Sequence, residues 1–231
     1  MSWHIETLVE DSSGGIIVAG ILEALLEDRP APWNYSIRRH RGVGSLPRDW
    51  NNRPSRRDSS LLQLLPARLR AYARGYDPAT HDLVLIVQDV DNHDVDQVFG
   101  QLATLRRVMA GDVPVIIGIA VEEMEAWLLG DHEALLAAYP EADREILQSY
   151  RQDSICGTWE VLARVIMGEK RAERLIKSGY PAAGEYKHNW ALKIAPHLDP
   201  DRNRSPSLQS FVTYLRGALD LQEANDAAAV H

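Results

Sequence analysis

An almost uninterrupted aliphatic segment at residues 83–87 is the feature that most constrains the fold of this chain. The segment reads Leu-Val-Leu-Ile-Val and lies between Asp82 and Gln88. A strand with one face in water alternates apolar and polar residues, whereas a strand buried on both faces of a parallel sheet is continuously aliphatic. Residues 114–120 form a second run of this kind. Together the two runs predict a mostly parallel sheet with helices on both faces, which is a three-layer α/β fold.

Further strands and helices are predicted around these two runs from the periodicity of the apolar residues. The strands are expected at residues 3–9 and 35–41, and the helices at residues 16–26, 60–74, 94–108 and 122–129. Their order predicts an α/β domain over residues 1–135, with a mainly helical C-terminal extension over residues 136–231 packed on it.

The composition narrows the class of protein. Hydrophobic residues make up 45% of the 231 residues and charged residues 25%, so the chain is not disordered as a whole. Its one cysteine, Cys156, cannot form an internal disulfide, which favours the cytoplasm. No apolar run approaches the ~18 residues of a membrane helix, and no basic leader segment is visible. We therefore expect a cytoplasmic protein with no membrane partner.

Positive charge is concentrated in one window of an otherwise acidic chain. Residues 29–74 contain eleven arginines, no lysine and two acids, a balance of +9, whereas the rest of the chain has a balance of −17. Part of this window, residues 42–59, is a long loop rich in Gly, Pro, Asn and Arg. The loop is either a solvated surface or a surface that contacts the phosphates of nucleic acid, which arginine grips with its planar fork. The candidate nucleic-acid-binding residues are Arg38, Arg39, Arg41, Arg53, Arg56 and Arg57.

Acidic residues follow three of the predicted strands. Glu10 follows the first strand, Asp89 and Asp91 follow the aliphatic strand, and Glu123 and Glu125 follow the next one. Ligands of parallel sheets bind beyond the carboxyl ends of the strands, so these acids are expected at one edge. Clustered carboxylates repel one another unless a hard cation lies between them, which predicts a site for Mg²⁺ or Mn²⁺.

Other reaction centres have weaker support in the sequence. The phosphate-binding loop of nucleotide hydrolases and the Gly-x-Ser-x-Gly nucleophile turn are both absent, and the histidines lack zinc spacing. Cys156 is interpreted as a core residue, as are Trp127 and Trp190. His93, within the acidic loop, is either an exposed loop residue or a proton shuttle.

The order of the acids resembles that of the TOPRIM fold, which topoisomerases, primases, recombination factors and the overcoming-lysogenization-defect nucleases share. Residues 119–129 read Ile-Ala-Val-Glu-Glu-Met-Glu-Ala-Trp-Leu-Leu and resemble a segment of an uncharacterised bacterial TOPRIM-like family. The Trp-Ala-Leu-Lys-Ile-Ala-Pro-His run at residues 190–197 is similar to the ending of that family. Two positions depart from the pattern: Glu122 replaces a usual arginine, and Asp11 replaces the glycine common after the first glutamate.

This resemblance implies a Rossmann-like TOPRIM-like domain and a metal-dependent nuclease in phage defence or DNA processing. Glu10, Asp89 and Asp91 would be the catalytic and metal-binding acids, with Glu125 and Glu123 as accessory metal ligands. Glu10 would be either a ligand or a general base. The partners would be nucleic acid, expected to be DNA, and a separately encoded ATPase.

Two alternatives remain open from the sequence. The chain could be a non-catalytic TOPRIM-like subunit that binds an ATPase partner or nucleic acid. It could also be a phosphotransferase or phosphatase built on the Asp-x-Asp motif, which needs a lysine near a later strand end. Lys170 or Lys177 would have to supply that lysine.

Overall fold

Four parallel strands form the central sheet, in the order β2-β1-β3-β4. The computed structural model describes residues 3–80, 82–179 and 182–229. The strands are β1 (Trp3–Val9), β2 (Trp33–Arg39), β3 (Asp82–Asp89) and β4 (Val115–Ala120). The aliphatic strand β3 lies between two neighbours and is buried on both faces, as the sequence predicts. The expected α/β architecture is thereby confirmed.

Ten helices of the described residues surround the sheet and continue beyond it. They are α1 (Ser12–Leu26), α2 (Leu61–Gly75), α3 (Val95–Met109), α4 (Glu125–Gly130), α5 (His132–Ala138), α6 (Arg144–Ser149), α7 (Thr158–Met167), α8 (Glu169–Ser178), α9 (Ala182–Ile194) and α10 (Pro206–Ala229). None of these helices is long and apolar enough to cross a membrane.

The helices cover both faces of the sheet because successive strand residues point to opposite sides. On one face, Leu8 and Ile86 pack with the leucines of α2 and α3 in one buried cluster. On the other, Ile5 and Val87 join a larger cluster that includes α1, α9 and α10. The three layers follow from this division of the apolar side chains.

The C-terminal half of the chain contributes to the same core as the sheet. Phe211 of α10 lies against Gly118 of β4, where a β-carbon would be only 2.7 Å from the ring. Its ring stacks on Trp127 at 5.5 Å between centroids, and the Trp127 Nε1 atom donates a hydrogen bond to Ser207. Trp127 and Trp190 are both buried, which confirms their interpretation as core residues. Cys156 is exposed in the segment before α7, so its interpretation as a core residue is wrong.

Local chemistry shifts several element boundaries from their predicted positions. Helix α1 begins at Ser12 rather than residue 16, because the Asp11 carboxylate caps it by accepting from the Gly14 amide at 2.7 Å. Helix α4 begins at Glu125 rather than residue 122, because Glu122 has a left-handed φ of 61° that a helix does not allow. Strand β2 begins at Trp33 and ends at Arg39, two residues earlier than expected.

Close contact between α1 and the chain after α9 generates a stability prediction. A β-carbon at Gly20 would lie 2.4 Å from the backbone oxygen of Ala195, which cannot move aside as a flexible side chain would. We expect Gly20→Ala to lower the free energy of unfolding by about 1–3 kcal/mol through overpacking. Gly217→Ala is the matched control, because Gly217 is helical with no atom within 4 Å of the added carbon. It should raise stability by up to ~1 kcal/mol. Chemical denaturation of both variants measures the difference, and equal stabilities would contradict the packing.

Candidate functional site

The parallel register brings the predicted acidic residues of three strands to one edge of the sheet. Val9 pairs with Val87 in β3, and Asp89 pairs with Ala120 in β4. Glu10 therefore follows its strand beside the end of β3, and the residues after Ala120 turn past Asp89. We refer to Glu10, Asp89, Asp91, Glu123 and Glu125 as the acidic cluster.

Glu10 is largely removed from solvent and incompletely paired. Its Oε2 atom is buried and accepts no hydrogen bond from any residue that the structure describes. Burial is the main reason that the pKa of Glu10 rises to about 7, and repulsion from Asp11 and Asp91 adds to the rise. A hydrogen bond from the backbone of Val43 opposes it. Glu10 is thus a carboxyl group that exchanges its proton near neutral pH.

Asp89 and Asp91 occupy different environments although they are only two residues apart. Burial, followed by repulsion from Glu125 and Glu10, raises the pKa of Asp89 well above its ordinary value. Its Oδ1 atom has no hydrogen-bond partner within the described chain. Asp91 is exposed on the following turn with a φ of 47°, and its amide donates to the backbone oxygen of Glu122 at 2.9 Å. Asp89 is the buried member of the pair and Asp91 the accessible one.

Lys187 of α9 inserts between Glu123 and Glu125. Its Nζ atom lies 3.3 Å from Oε1 of Glu123 and 3.1 Å from Oε2 of Glu125. Burial raises the pKa of Glu123 to about 7 and also raises that of Glu125, while the Lys187 ammonium opposes both shifts. Glu125 is 1% exposed, and its Oε1 atom has no hydrogen-bond partner among the residues described. The two glutamates thus share one ammonium group, and one buried oxygen stays unpaired.

Glu122 points away from the acidic cluster and caps helix α7. Its carboxylate accepts from the amides of Cys156 at 3.1 Å and of Gly157 and Thr158 at 2.9 Å each, and from the Thr158 hydroxyl. Burial would raise the pKa of Glu122, but these hydrogen bonds outweigh it and hold the pKa below its ordinary value. Glu122 therefore does not belong to the helix that the sequence predicts at residues 122–129, since it precedes α4.

A cavity of about 280 Å³ opens beside Asp89 and Asp91. Its other wall includes Gly44 and Leu46 from the arginine-rich loop, and His93 also lines it. His93 is exposed, in agreement with one of its two sequence interpretations. Two members of the acidic cluster, Asp89 and Asp91, therefore line the same cavity as the loop.

The candidate nucleic-acid-binding arginines fall into two groups. Arg38 forms an ion pair with Glu6 on β1, and Arg39 donates to the Ser12 hydroxyl at 3.3 Å. The other four are exposed and form no ion pair with any described residue; they are Arg41, Arg53, Arg56 and Arg57. The second group is available to an external anion, whereas Arg38 already has an internal one.

Backbone contacts hold both ends of the arginine-rich loop. The Arg41 amide donates to Ser59 at 3.0 Å, and the Leu61 amide donates to Gly42 at 3.0 Å. In the middle of the loop, the Arg70 guanidinium of α2 donates to the backbone oxygens of Trp50 and Asn52. Arg70 of the basic window therefore holds the loop in place and is not free to bind an external anion.

Whether these residues fit a divalent cation can be judged from their oxygen atoms. Buried, unpaired oxygens of Glu10, Asp89 and Glu125 are hard donors of the type that Mg²⁺ prefers. In the described ranges, however, no three His, Cys, Asp or Glu side chains stand close enough to hold a metal ion as they are. The oxygen atoms therefore suit a divalent cation, but the side chains must rotate to bind it. Asp91 is exposed, so its side chain can rotate.

Lys187 is the site residue that sequence reasoning missed. A lysine was considered only at Lys170 and Lys177, and the structure exposes both on α8. Lys187 lies on the buried face of α9 with Ala183 and Trp190, its neighbours at the i−4 and i+3 positions. The sequence signal for this residue was a lysine at a helical position whose neighbours on the same face are apolar.

Comparison with known families identifies the chain. Residues 9–216 match the family described as Domain of unknown function (DUF4276). The chain belongs to this family. The match covers strands β2 to β4, the acidic cluster and most of the C-terminal helices. No curated protein and no solved structure gives a significant match.

The raised pKa of Glu10 predicts how the metal-free protein responds to pH. The folded protein holds this proton to about pH 7, whereas the unfolded chain releases it near the ordinary value of 4.5. The resulting stability is full below pH 4.5 and is lost as the pH rises through about 7. Glu10→Gln should remove this loss, which amounts to roughly 3 kcal/mol at most.

Denaturant unfolding across this pH range, with a chelator present, measures the effect. The exposed Glu141→Gln is the control and should follow the wild type. A constant difference between Glu10→Gln and wild type at every pH would contradict the buried, proton-exchanging carboxyl group.

Proposed function

We propose that this protein is a metal-dependent nuclease that hydrolyses phosphodiester bonds, with Mg²⁺ or Mn²⁺ as its cofactor. The observation that carries the proposal is the set of buried, unpaired carboxylate oxygens of Glu10, Asp89 and Glu125. Burial, followed by repulsion from neighbouring carboxylates, raises the pKa values of Glu10 and Asp89, and a bound cation would stabilise their anionic forms. Asp89 also borders a cavity whose other wall is part of the arginine-rich loop, where a phosphate could approach.

Glu10, Asp89 and Asp91 would hold the cation. They follow adjacent strands and interact electrostatically. When bound, a divalent cation supplies a Lewis acid for the phosphodiester oxygens and lowers the pKa of a bound water. The exposed Asp91 can rotate toward the two buried carboxylates, whose own positions are fixed by the strand ends.

Glu10 has the properties of a general base as well as those of a ligand. A base works best when its pKa lies near the operating pH, and the pKa of about 7 satisfies this condition. Deprotonated Glu10 would accept a proton from the attacking water. The roles of ligand and base remain alternatives for this residue, and they predict different pH profiles.

The arginine-rich loop would hold the nucleic-acid substrate, which we propose to be DNA. Arg41, Arg53, Arg56 and Arg57 are exposed, and the loop lines the cavity beside Asp89 and Asp91. Because the rest of the chain is strongly acidic, this loop is the part that attracts a polyanion. Arg38 and Arg39 would contribute less, since Glu6 and Ser12 already engage them.

The resemblance of the acidic motifs to TOPRIM domains supports the same reaction class. It extends the proposal to a role in phage defence or DNA processing beside a separately encoded ATPase, because the sequence contains no phosphate-binding loop of its own. The single cysteine is consistent with a proposed cytoplasmic location.

A second candidate function is a non-catalytic TOPRIM-like subunit that binds nucleic acid or an ATPase partner. Lys187 favours it, because an internal ammonium already compensates two of the acidic residues. Such a subunit would bind nucleic acid through the same loop and leave it intact.

Cleavage assays with Asp89→Asn separate the two functions. The purified protein with Mn²⁺ or Mg²⁺ should cut at least one of single-stranded DNA, duplex DNA and RNA. Asp89→Asn should reduce the rate by at least about 100-fold, because it removes a buried metal ligand. Asp96→Asn, an exposed change in the first turn of α3, is the control and should cut like the wild type. Binding without cleavage by the wild type would support the subunit, and unchanged cleavage by Asp89→Asn would contradict the proposed site.

Salt dependence of DNA binding tests the role of the loop. Each phosphate contact releases condensed counterions, so affinity falls with salt at a slope that counts the contacts. The triple variant Arg53→Ala, Arg56→Ala and Arg57→Ala should lower that slope by up to about three on duplex DNA. Fluorescence anisotropy in the presence of a chelator measures the slope without cleavage.

A triple variant of equal charge serves as the control for this measurement. It replaces three exposed arginines outside the loop with alanine, at Arg107, Arg144 and Arg171. The control should keep the wild-type slope. Equal losses in both variants would assign the effect to net charge and would contradict a specific contact by the loop.

A further inference from the structure

Lys187 is a buried lysine that has no role in the reaction proposed above. It is 6% exposed and lies on the face of α9 that packs into the protein, together with Ala183, Trp190 and Ala191. Helix α9 packs against α1, whose first residues follow Glu10 along the chain. The packing of α9 therefore fixes where the Lys187 side chain can reach.

The ammonium group of Lys187 occupies the position that a cation would take between Glu123 and Glu125. Its Nζ atom lies 3.3 Å and 3.1 Å from their nearest oxygens. The Glu123 carboxylate is fixed further, because its Oε2 atom accepts the Trp159 amide at 2.9 Å. Glu125 is 1% exposed and keeps one unpaired oxygen, Oε1, within the described structure. The two glutamates thus form a cation site that the ammonium group of Lys187 occupies.

Electrostatic contacts connect this pair to the rest of the acidic cluster. Asp89 is repelled by Glu125 on one side and by Glu10 on the other, and it is attracted by Lys187. Phosphodiester hydrolysis by two-metal sites uses two divalent ions about 4 Å apart. Glu123 and Glu125 already hold the positive charge of Lys187, and a divalent ion placed between them would be repelled by it at short range.

We propose that Lys187 replaces a second metal ion, so that the acidic cluster binds one divalent cation, at Glu10, Asp89 and Asp91. The inference rests on the proposed metal site and adds its stoichiometry. Glu123 and Glu125 are then positioning residues that hold the ammonium, and their predicted role as accessory metal ligands would apply only when the lysine is removed. Lys187 then supplies a permanent positive charge that attracts Asp89, in place of the second ion of a two-metal site.

Counting bound Mn²⁺ tests this assignment without any measurement of activity. Isothermal titration, checked by the paramagnetic resonance signal of free Mn²⁺, should give one ion per wild-type chain. Lys187→Met keeps the apolar stem and removes the charge, and it should bind two ions. Lys193→Met, an exposed change on the same helix, is the control and should bind one. In the Lys187→Met background, Glu125→Gln should return the count to one.

Thermal stability provides an independent readout. Without metal, Lys187→Met should melt at a lower temperature than the wild type, because two buried glutamates lose their counter-ion. Saturating Mn²⁺ should raise its melting temperature by more than it raises that of the wild type, since two bound ions stabilise more than one. Equal shifts in the two proteins would contradict the replacement of a metal by Lys187.

The possible counts distinguish the failure of this inference from the failure of the proposed function. Two ions in the wild type, or one ion in a folded Lys187→Met, would overturn the role of Lys187 alone. No bound ion in the wild type would overturn both the metal site and this inference. If Lys187→Met does not fold, Lys187→Arg replaces it, and it should keep one ion because the positive charge remains. A second ion in Lys187→Arg would overturn the inference. A wild-type protein that binds one ion but cleaves no substrate would leave the inference standing and reject the nuclease.

Discussion

The burial of carboxylates at the ends of adjacent parallel strands is the constraint on which the rest of this structure depends. A parallel sheet with helices on both faces brings the carboxyl ends of β1, β3 and β4 to one edge. The register of the strands holds the backbones of Glu10 and Asp89 at this edge. The cost of burying them is visible in their raised pKa values. Carboxyl groups with strongly raised pKa values cluster at functional sites, which supports a functional role for this edge of the sheet.

Two kinds of internal partner compensate acids around this edge, namely backbone amides and a lysine ammonium group. Glu122 is satisfied by backbone amides at the start of α7, and Glu123 and Glu125 share the ammonium of Lys187. Glu10 and Asp89 keep unpaired oxygens, and Asp89 lines the cavity beside the arginine-rich loop. Glu122, Glu123 and Glu125 thus have internal partners, whereas we propose that Glu10 and Asp89 bind a cation.

The sheet and most of its helices could be predicted from local patterns, because burial on both faces leaves a continuous aliphatic run in β3. The strand-end position of Asp89 followed from the same pattern. The role of Glu122 could not be predicted, since it depends on a left-handed turn and on amides 34 to 36 residues away. Lys187 was missed for the same reason, because only tertiary packing brings α9 to the acidic cluster.

The central claim is that the acidic cluster is a site for a divalent cation. A crystal structure of the protein grown with Mn²⁺, with anomalous scattering recorded near the manganese edge, tests it most directly. The account predicts one anomalous peak within about 2.2 Å of oxygens of Glu10, Asp89 and Asp91, with Lys187 still between Glu123 and Glu125. The absence of a peak at this edge of the sheet, at a Mn²⁺ concentration that saturates known manganese enzymes, would contradict it.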